Sequence, residues 1–311
     1  MLINRRQFVQ QLTTLTAGMA VMPLSFAATN KKSFLQISLA EWSLHRALFG
    51  KRINNLDFPA LAKNTYGVSV VEYVNQFFKD KAEDTVYLNE LLRRCKDNNV
   101  TNHLIMIDGE GGLAELDDQK RNKAVENHYK WVHAAKHLGC KTIRVNAYGV
   151  GSREDVQQAA IDGLSKLGEY AAKENINVIV ENHGGYSSDG QWLSTVMKKV
   201  GKKNVGTLPD LGNFCLRREN NTCVEEYDRY RGVQEIVPFA KGISAKTYDF
   251  DAAGNCVETD YNRMLKIIKD SGFTGYIGIE YEGNKLGEEE GIKKTKALLE
   301  REARAIGYRI K

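Results

Sequence analysis

Eight short apolar runs alternate with stretches of helical periodicity along this chain, and that alternation restricts the possible folds more than any other feature. The runs are Phe34 to Leu39, Val68 to Val74, Asn102 to Ile107, Lys141 to Val145, Asn177 to Val180, Val205 to Leu208, Gly242 to Ala245 and Tyr276 to Ile279. Between and after them, helices are predicted over Lys81 to Cys95, Lys120 to Leu138, Arg153 to Lys173, Gln191 to Lys199, Val224 to Ile236, Tyr261 to Lys269 and Glu289 to Ile306. Eight such units without a dividing linker fit a single closed (β/α)8 TIM barrel better than an open sheet. The first strand is not followed by a Gly-x-Gly-x-x-Gly turn, which removes the best sign of a dinucleotide fold. Leu44 to Thr65 is the least regular connection; following the first strand, it is expected over the barrel mouth as a lid or substrate-binding loop.

The hydrophobic and charged fractions, 42% and 27%, with only four prolines, belong to a folded globular chain rather than a disordered or collagenous one. The net charge of +5 includes Arg5 and Arg6, which lie in a segment expected to be removed; without them the basic excess falls to three. No basic run interleaved with aromatics is present, so the charge balance gives no support to a nucleic-acid partner.

Residues 1–27 read as an export signal: Asn4-Arg5-Arg6-Gln7-Phe8, a mildly apolar stretch from Leu12 to Leu24, then Ser25-Phe26-Ala27 as a small-residue exit site. The arginine pair resembles the bacterial twin-arginine signal, with Asn4 in place of the usual Ser or Thr. The mature chain, 28–311, is then periplasmic, and the apolar stretch is too short to span a bilayer, so no membrane anchor is expected. Export after folding would leave the five cysteines free of any need to pair; Cys140 reads as core, and Cys215 and Cys223, eight apart in a loop, are expected to remain unpaired.

Four of the apolar strands in the second half end in charge: Glu181, Asp210, Lys246 and Glu280. A strand's last residues line the active-site mouth of such a barrel. Converging carboxylates repel, so something positive belongs between them: a divalent cation, a lysine or a shared proton. Glu181, Asp210 and Glu280 offer hard oxygen ligands suited to Mg or Mn, and with an imidazole added the site would also accept Co, Fe or Zn.

The segments Val178-Ile179-Val180-Glu181-Asn182-His183-Gly184-Gly185 and Tyr276-Ile277-Gly278-Ile279-Glu280-Tyr281-Glu282-Gly283 resemble the xylose-isomerase-like barrels, the superfamily of sugar isomerases and epimerases, over roughly Phe34 to Arg304. The resemblance implies a divalent ion held by Glu, Asp, His and Glu from strands five to eight, with Glu181, Asp210 and Glu280 matching three of the four. Two imidazoles are missing: Asn213 stands three residues after Asp210, and Ser244 stands two before Lys246. Water or His183 could complete the metal shell, or Lys246 could itself supply the positive charge.

For the sugar-active members the resemblance implies proton abstraction beside a carbonyl through an enediolate, with Glu181 and Glu280 as base and acid and Lys246 or a metal meeting the oxyanion. His183, Glu41, Trp42, Asp108, Arg144, Asn146 and Asn213 are the substrate-binding candidates, with Glu72 and Glu110 as further strand-end groups and Tyr281 as a stacking or shielding ring. An exported enzyme points to a non-phosphorylated sugar, a cyclitol or an oxidised glycoside. For a 3-keto glycoside the same base could instead start elimination of the C1 group. A non-catalytic carbohydrate-binding descendant is the alternative outside catalysis, and a homo-oligomer is left open.

Overall fold

Strands and helices alternate through the computed structural model, which describes residues 34–310. The elements are β1 (Phe34–Ala40), α1 (Phe58–Tyr66), β2 (Val70–Val74), α2 (Thr85–Asp97), β3 (Thr101–Met106), α3 (Asp118–His137), β4 (Thr142–Val145), α4 (Arg153–Lys173), β5 (Asn177–Glu181), α5 (Gly190–Val200) and β6 (Val205–Leu208). A hairpin of β7 (Cys215–Glu219) and β8 (Thr222–Glu226) follows, then α6 (Arg229–Ile236), β9 (Ile243–Thr247), α7 (Tyr261–Asp270), β10 (Gly275–Tyr281), α8 (Glu288–Ala305) and a short β11 (Arg309–Ile310) on the outer end of β1. The expected export signal lies outside the described residues. No described helix is long and apolar enough to cross a membrane.

The strand order β6-β5-β4-β3-β2-β1-β10-β9 is parallel throughout, and parallel bridges Thr207–Ala240 and Asp210–Ser244 close the ring between β6 and β9. The fold is the expected (β/α)8 barrel. Because side chains alternate along a strand, Ile143, Val145, Val178, Val180, Ile243, Ala245, Ile277 and Ile279 face outward into the strand–helix core, while their neighbours face the lumen. Helix starts are sharp: Asp84, Asp117, Ser152, Asp189, Asp228 and Asp260 each cap a helix by accepting a backbone N–H in its first turn.

Three sequence expectations are corrected. The helix expected from Val224 begins only at Arg229, because Thr222–Glu226 pairs antiparallel with Cys215–Glu219. Asn220 and Asn221, both at positive φ, supply the tight turn that joins these two strands. Cys215 and Cys223 form a disulfide across the hairpin rather than remaining free, whereas Cys95, Cys140 and Cys256 are buried thiols. The irregular span Leu44 to Thr65 is partly a barrel element: its second half is most of α1, begun by Pro59 and ended by Gly67 at φ 65°.

Candidate active site

Lumen-facing positions on two pairs of staves, either side of β6, carry the charged groups and one hydroxyl: Arg144 on β4, Glu181 at the end of β5, Ser244 and Lys246 on β9, and Glu280 on β10. Asp210 sits just beyond β6, where its bridge to Ser244 closes the barrel. The closing seam therefore runs through the charged cluster. Asp210, Glu181, Lys246 and Glu280 are 0, 1, 2 and 3% exposed, so each must be matched by partners close by.

Those partners form one network. Asp210 Oδ1 accepts the backbone N–H groups of Gly212 and Asn213, both at 2.8 Å. The Ser244 hydroxyl lies 2.9 Å from Asp210 Oδ2 and 2.5 Å from Glu280 Oε2. Lys246 Nζ lies 2.8 Å from Glu280 Oε1, 3.1 Å from Glu282 Oε2 and 3.7 Å from Asp210 Oδ2. Across the cluster, Glu181 Oε1 accepts from Asn213 Nδ2 at 3.2 Å, and Glu181 Oε2 is 2.8 Å from Arg144 Nε. That last contact is an ion pair misaligned for a hydrogen bond, so both atoms keep unused bonding capacity inside the site. Arg144 Nη1 and Asn146 Nδ2 both donate to Asp108 Oδ1 at 2.7 Å.

A serine has a single hydroxyl proton, yet Ser244 stands between two carboxylates. If both were ionised, one oxygen would face only a lone pair. One shared proton removes the conflict: a neutral Asp210 donates to Ser244, which donates to Glu280. Burial first, then the negative charges of Glu280 and Glu181, push the Asp210 carboxyl well above the usual range against the opposing pull of Lys246. Burial alone would lower Lys246, but Glu280, Asp210 and Glu282 outweigh it and hold the ammonium charged. Burial likewise opposes ionisation of Asp108, but Arg144 prevails and brings it down to about 2.

One layer below, Ser38 donates to Glu72 Oε1 at 2.5 Å, while Glu72 Oε2 is buried without a partner. Glu72 reaches across to β10 because residue 278 is glycine; a Cβ there would sit 2.6 Å from Glu72 Oε2. Burial, only partly offset by the Ser38 hydrogen bond, raises Glu72 to about 8.

The structure gathers most, but not all, of the sequence candidates. Trp42 lies over the mouth, with Nε1 donating to Glu282 Oε1. Glu282, which entered the sequence reading only as part of the Tyr276 to Gly283 motif, is thus a direct partner of Lys246. Asp108, Arg144, Asn146 and Asn213 flank Glu181 as described. His183 is exposed on the rim, and the group whose ligand atoms converge contains no imidazole. Glu41 turns away: its oxygens accept from Asn55 Nδ2 at 2.8 Å and Val74 N at 3.0 Å, pinning the first loop. Glu110 is engaged elsewhere by Trp131 and Lys130, and the Tyr281 ring is fully buried outside the lumen, its hydroxyl at Leu286. Asn182, unranked in the sequence, joins the β5 and β6 loops by donating to the carbonyls of Asp210 and Asn213 and accepting from Asp210 N.

One oxygen each from Glu181, Asp210 and Glu280 lies within 4.8 Å of the others. Ligand oxygens about 2.1 Å from a small ion are at most roughly 4.2 Å apart, so modest contraction would close the cage. Once the proton shared by Asp210 and Ser244 is released, Glu181, Asp210, Glu280, Glu282 and Asp108 outnumber the two cations Lys246 and Arg144, an excess of negative charge that a divalent ion would offset. The donor set fits a hard ion such as Mg or Mn; with Ser244 bridging in place of an imidazole, it is a poorer match for Zn.

The sequence profile of the xylose isomerase-like TIM barrel family matches residues 60–302. A Mus musculus protein named provisionally as a hydroxypyruvate isomerase is 22% identical over 162 residues, 47% of this chain and 56% of that one, so the chain spans about half the length of this relative. The IOLI protein, crystallised with a bound zinc atom, is similar with a TM-score of 0.65 and 14% identity over 87% of this chain and 99% of that one. The apo 3-keto-D-glucoside 4-epimerase of E. coli is similar with a TM-score of 0.60 and 13% identity over 86% and 99% of the two chains. Those identities speak for the shared fold; the profile, matching well over half of the sequence, places this chain in the xylose isomerase-like TIM barrel family.

Proposed function

We propose that this protein is a sugar isomerase or epimerase that removes a proton next to a carbonyl in a non-phosphorylated sugar, cyclitol or 3-keto glycoside and returns it through an enediolate. The observation that carries this reading is the pair Glu181 and Glu280 flanking the Asp210–Ser244 seam in one buried polar network. Arg144 Nε, 2.8 Å from Glu181 Oε2, orients that carboxylate to accept the substrate proton. Glu280 has a proton route from Asp210 through Ser244, suited to deliver one. Lys246 stabilises negative charge developing on the substrate oxygen. With the Asp210 proton released to solvent, Glu181, Asp210 and Glu280 would instead hold a divalent ion, which when bound supplies further positive charge at that oxygen.

Read as an export signal, residues 1–27 support a periplasmic protein, for which phosphorylated metabolites are poor candidates. A 3-keto glycoside is favoured by the fold likeness to the 3-keto-D-glucoside 4-epimerase. Elimination of its C1 group would begin with the same proton abstraction, and product analysis separates the two outcomes. The test is incubation in D2O, with added Mg or Mn, of a free ketose, a cyclitol ketone and a 3-keto glucoside, followed by NMR. Deuterium at the carbon beside the carbonyl is expected in at least one class; no incorporation in any of them would count against enolate chemistry.

A further inference from the structure

We propose that the cavity of about 1060 Å³ beside the carboxylate cluster is a second sugar subsite, so that the substrate is a glycoside with a further neutral sugar ring rather than a monosaccharide. This rests on the carbohydrate reading above and narrows its substrate class.

Position is the first argument. The cavity lies among the loops after β3, β4 and β5, the end of the barrel where the cluster sits, and the β7–β8 hairpin forms its outer wall. Asn146 belongs both to its lining and to the chain of contacts through Asp108 and Arg144 to Glu181. The Asn146 side-chain oxygen is buried without a hydrogen-bond partner, leaving an acceptor for a ligand hydroxyl on the wall of the cavity that leads to Glu181.

Size and charge decide the ligand class. The volume slightly exceeds the roughly 300–1,000 Å³ that holds drug-sized ligands and is far more than one sugar ring needs. Three arginines and three carboxylates line it, with Arg153 2.7 Å from Asp189 and Arg217 3.5 Å from Glu225. That balance offers no excess positive charge to hold a phosphate or a polyanion, and it suits a neutral polyol. Two aromatic rings complete the lining. Tyr186 is fixed by its hydroxyl on the Gly151 carbonyl and by stacking on Trp192, and Tyr148 is 63% exposed. An aromatic face with a polar tip suits the apolar face and hydroxyl rim of a pyranose.

The walls are built to keep the space open. Gly184 and Gly185 adopt φ of 91° and 57°, and a Cβ on either would meet nothing within 4 Å. The hairpin is an addition between β6 and α6, tied across its two strands by Cys215–Cys223.

Calorimetric titration of the full chain with glucose, cellobiose, maltose and trehalose tests the inference directly. At least one disaccharide is expected to bind tenfold or more tightly than glucose. The exposed-site variants Tyr148→Ala and Arg218→Ala should erode that preference while leaving glucose affinity and the unfolding temperature unchanged. Equal affinity for glucose and all three disaccharides would overturn the proposal, as would a preference untouched by both variants. The deuterium assay keeps this outcome separate from the reaction itself. Exchange without disaccharide preference defeats the subsite alone; disaccharide preference without exchange leaves the subsite standing and defeats the reaction.

Discussion

Two parts of the same barrel lumen are built on opposite principles. Ala40, Val74, Leu104, Met106, Ile179 and Leu208 form an apolar cluster, covered by Trp42 and Phe77, in which contact alone fills space. Against it stand Arg144, Glu181, Asp210, Ser244, Lys246 and Glu280, almost as deeply buried and matched by charge and hydrogen bonds. Ile179 and Glu181 lie two residues apart on one strand and face the same way, yet belong to different clusters. A barrel needs only the first kind of filling to fold. The second kind carries a desolvation cost that packing does not require, and for that reason it marks the site.

The sharpest way to break this contrast is to remove the cation from the polar side. Lys246→Met should cost about 3–5 kcal/mol in urea unfolding at neutral pH, because buried carboxylates lose their partner. The deficit should shrink in acid as those carboxylates take up protons; unchanged stability at pH 7 would mean the cluster does not depend on Lys246. On the apolar side, Leu208→Ala should cost about 2–5 kcal/mol from lost contact and cavity formation, with no comparable pH dependence.

Glu72 lies between the two regimes, and its response should reveal which one governs. Its carboxyl is raised from 4.5 to about 8, so its favourable contribution is fully present below pH 4.5 and is lost as pH rises toward 8. Glu72→Gln should therefore match the wild type near pH 4 and gain on it up to about pH 8, by a few kcal/mol at most. Parallel pH–stability curves for the two proteins would contradict the buried, neutral carboxyl. A smaller effect, roughly tenfold, is expected from Ser244→His, which adds a nitrogen ligand and should raise zinc affinity relative to magnesium. Calorimetry showing the same selectivity would remove Ser244 from the account of metal choice.

The barrel and the carboxylate cluster were legible in the sequence for one physical reason. Strand alternation sets which residues face inward, and charge at the end of an apolar run has no packing explanation, so Glu181, Asp210, Lys246 and Glu280 stood out. Glu41 shows the limit: it also ends an apolar strand, but the chain turns immediately and spends its oxygens on Asn55 and Val74. Tyr281, one residue after Glu280, necessarily points to the other face and packs outside the lumen. The hairpin was hidden because Val224 to Ile236 carries a helical pattern, while the deciding signal was the short Asn220-Asn221 turn upstream. The role of Ser244 was hidden differently: only three-dimensional proximity shows one hydroxyl set between two carboxylates.

The central claim is that Glu181 and Glu280 move the substrate proton. It is tested most directly by following solvent deuterium entry into whichever carbonyl substrate the wild type labels, using Glu181→Gln and Glu280→Gln in the presence of Mg or Mn. The account predicts that each variant keeps the wild-type unfolding temperature within a few degrees and loses exchange by about 10²–10⁴-fold. Exchange at the wild-type rate in either folded variant would contradict it.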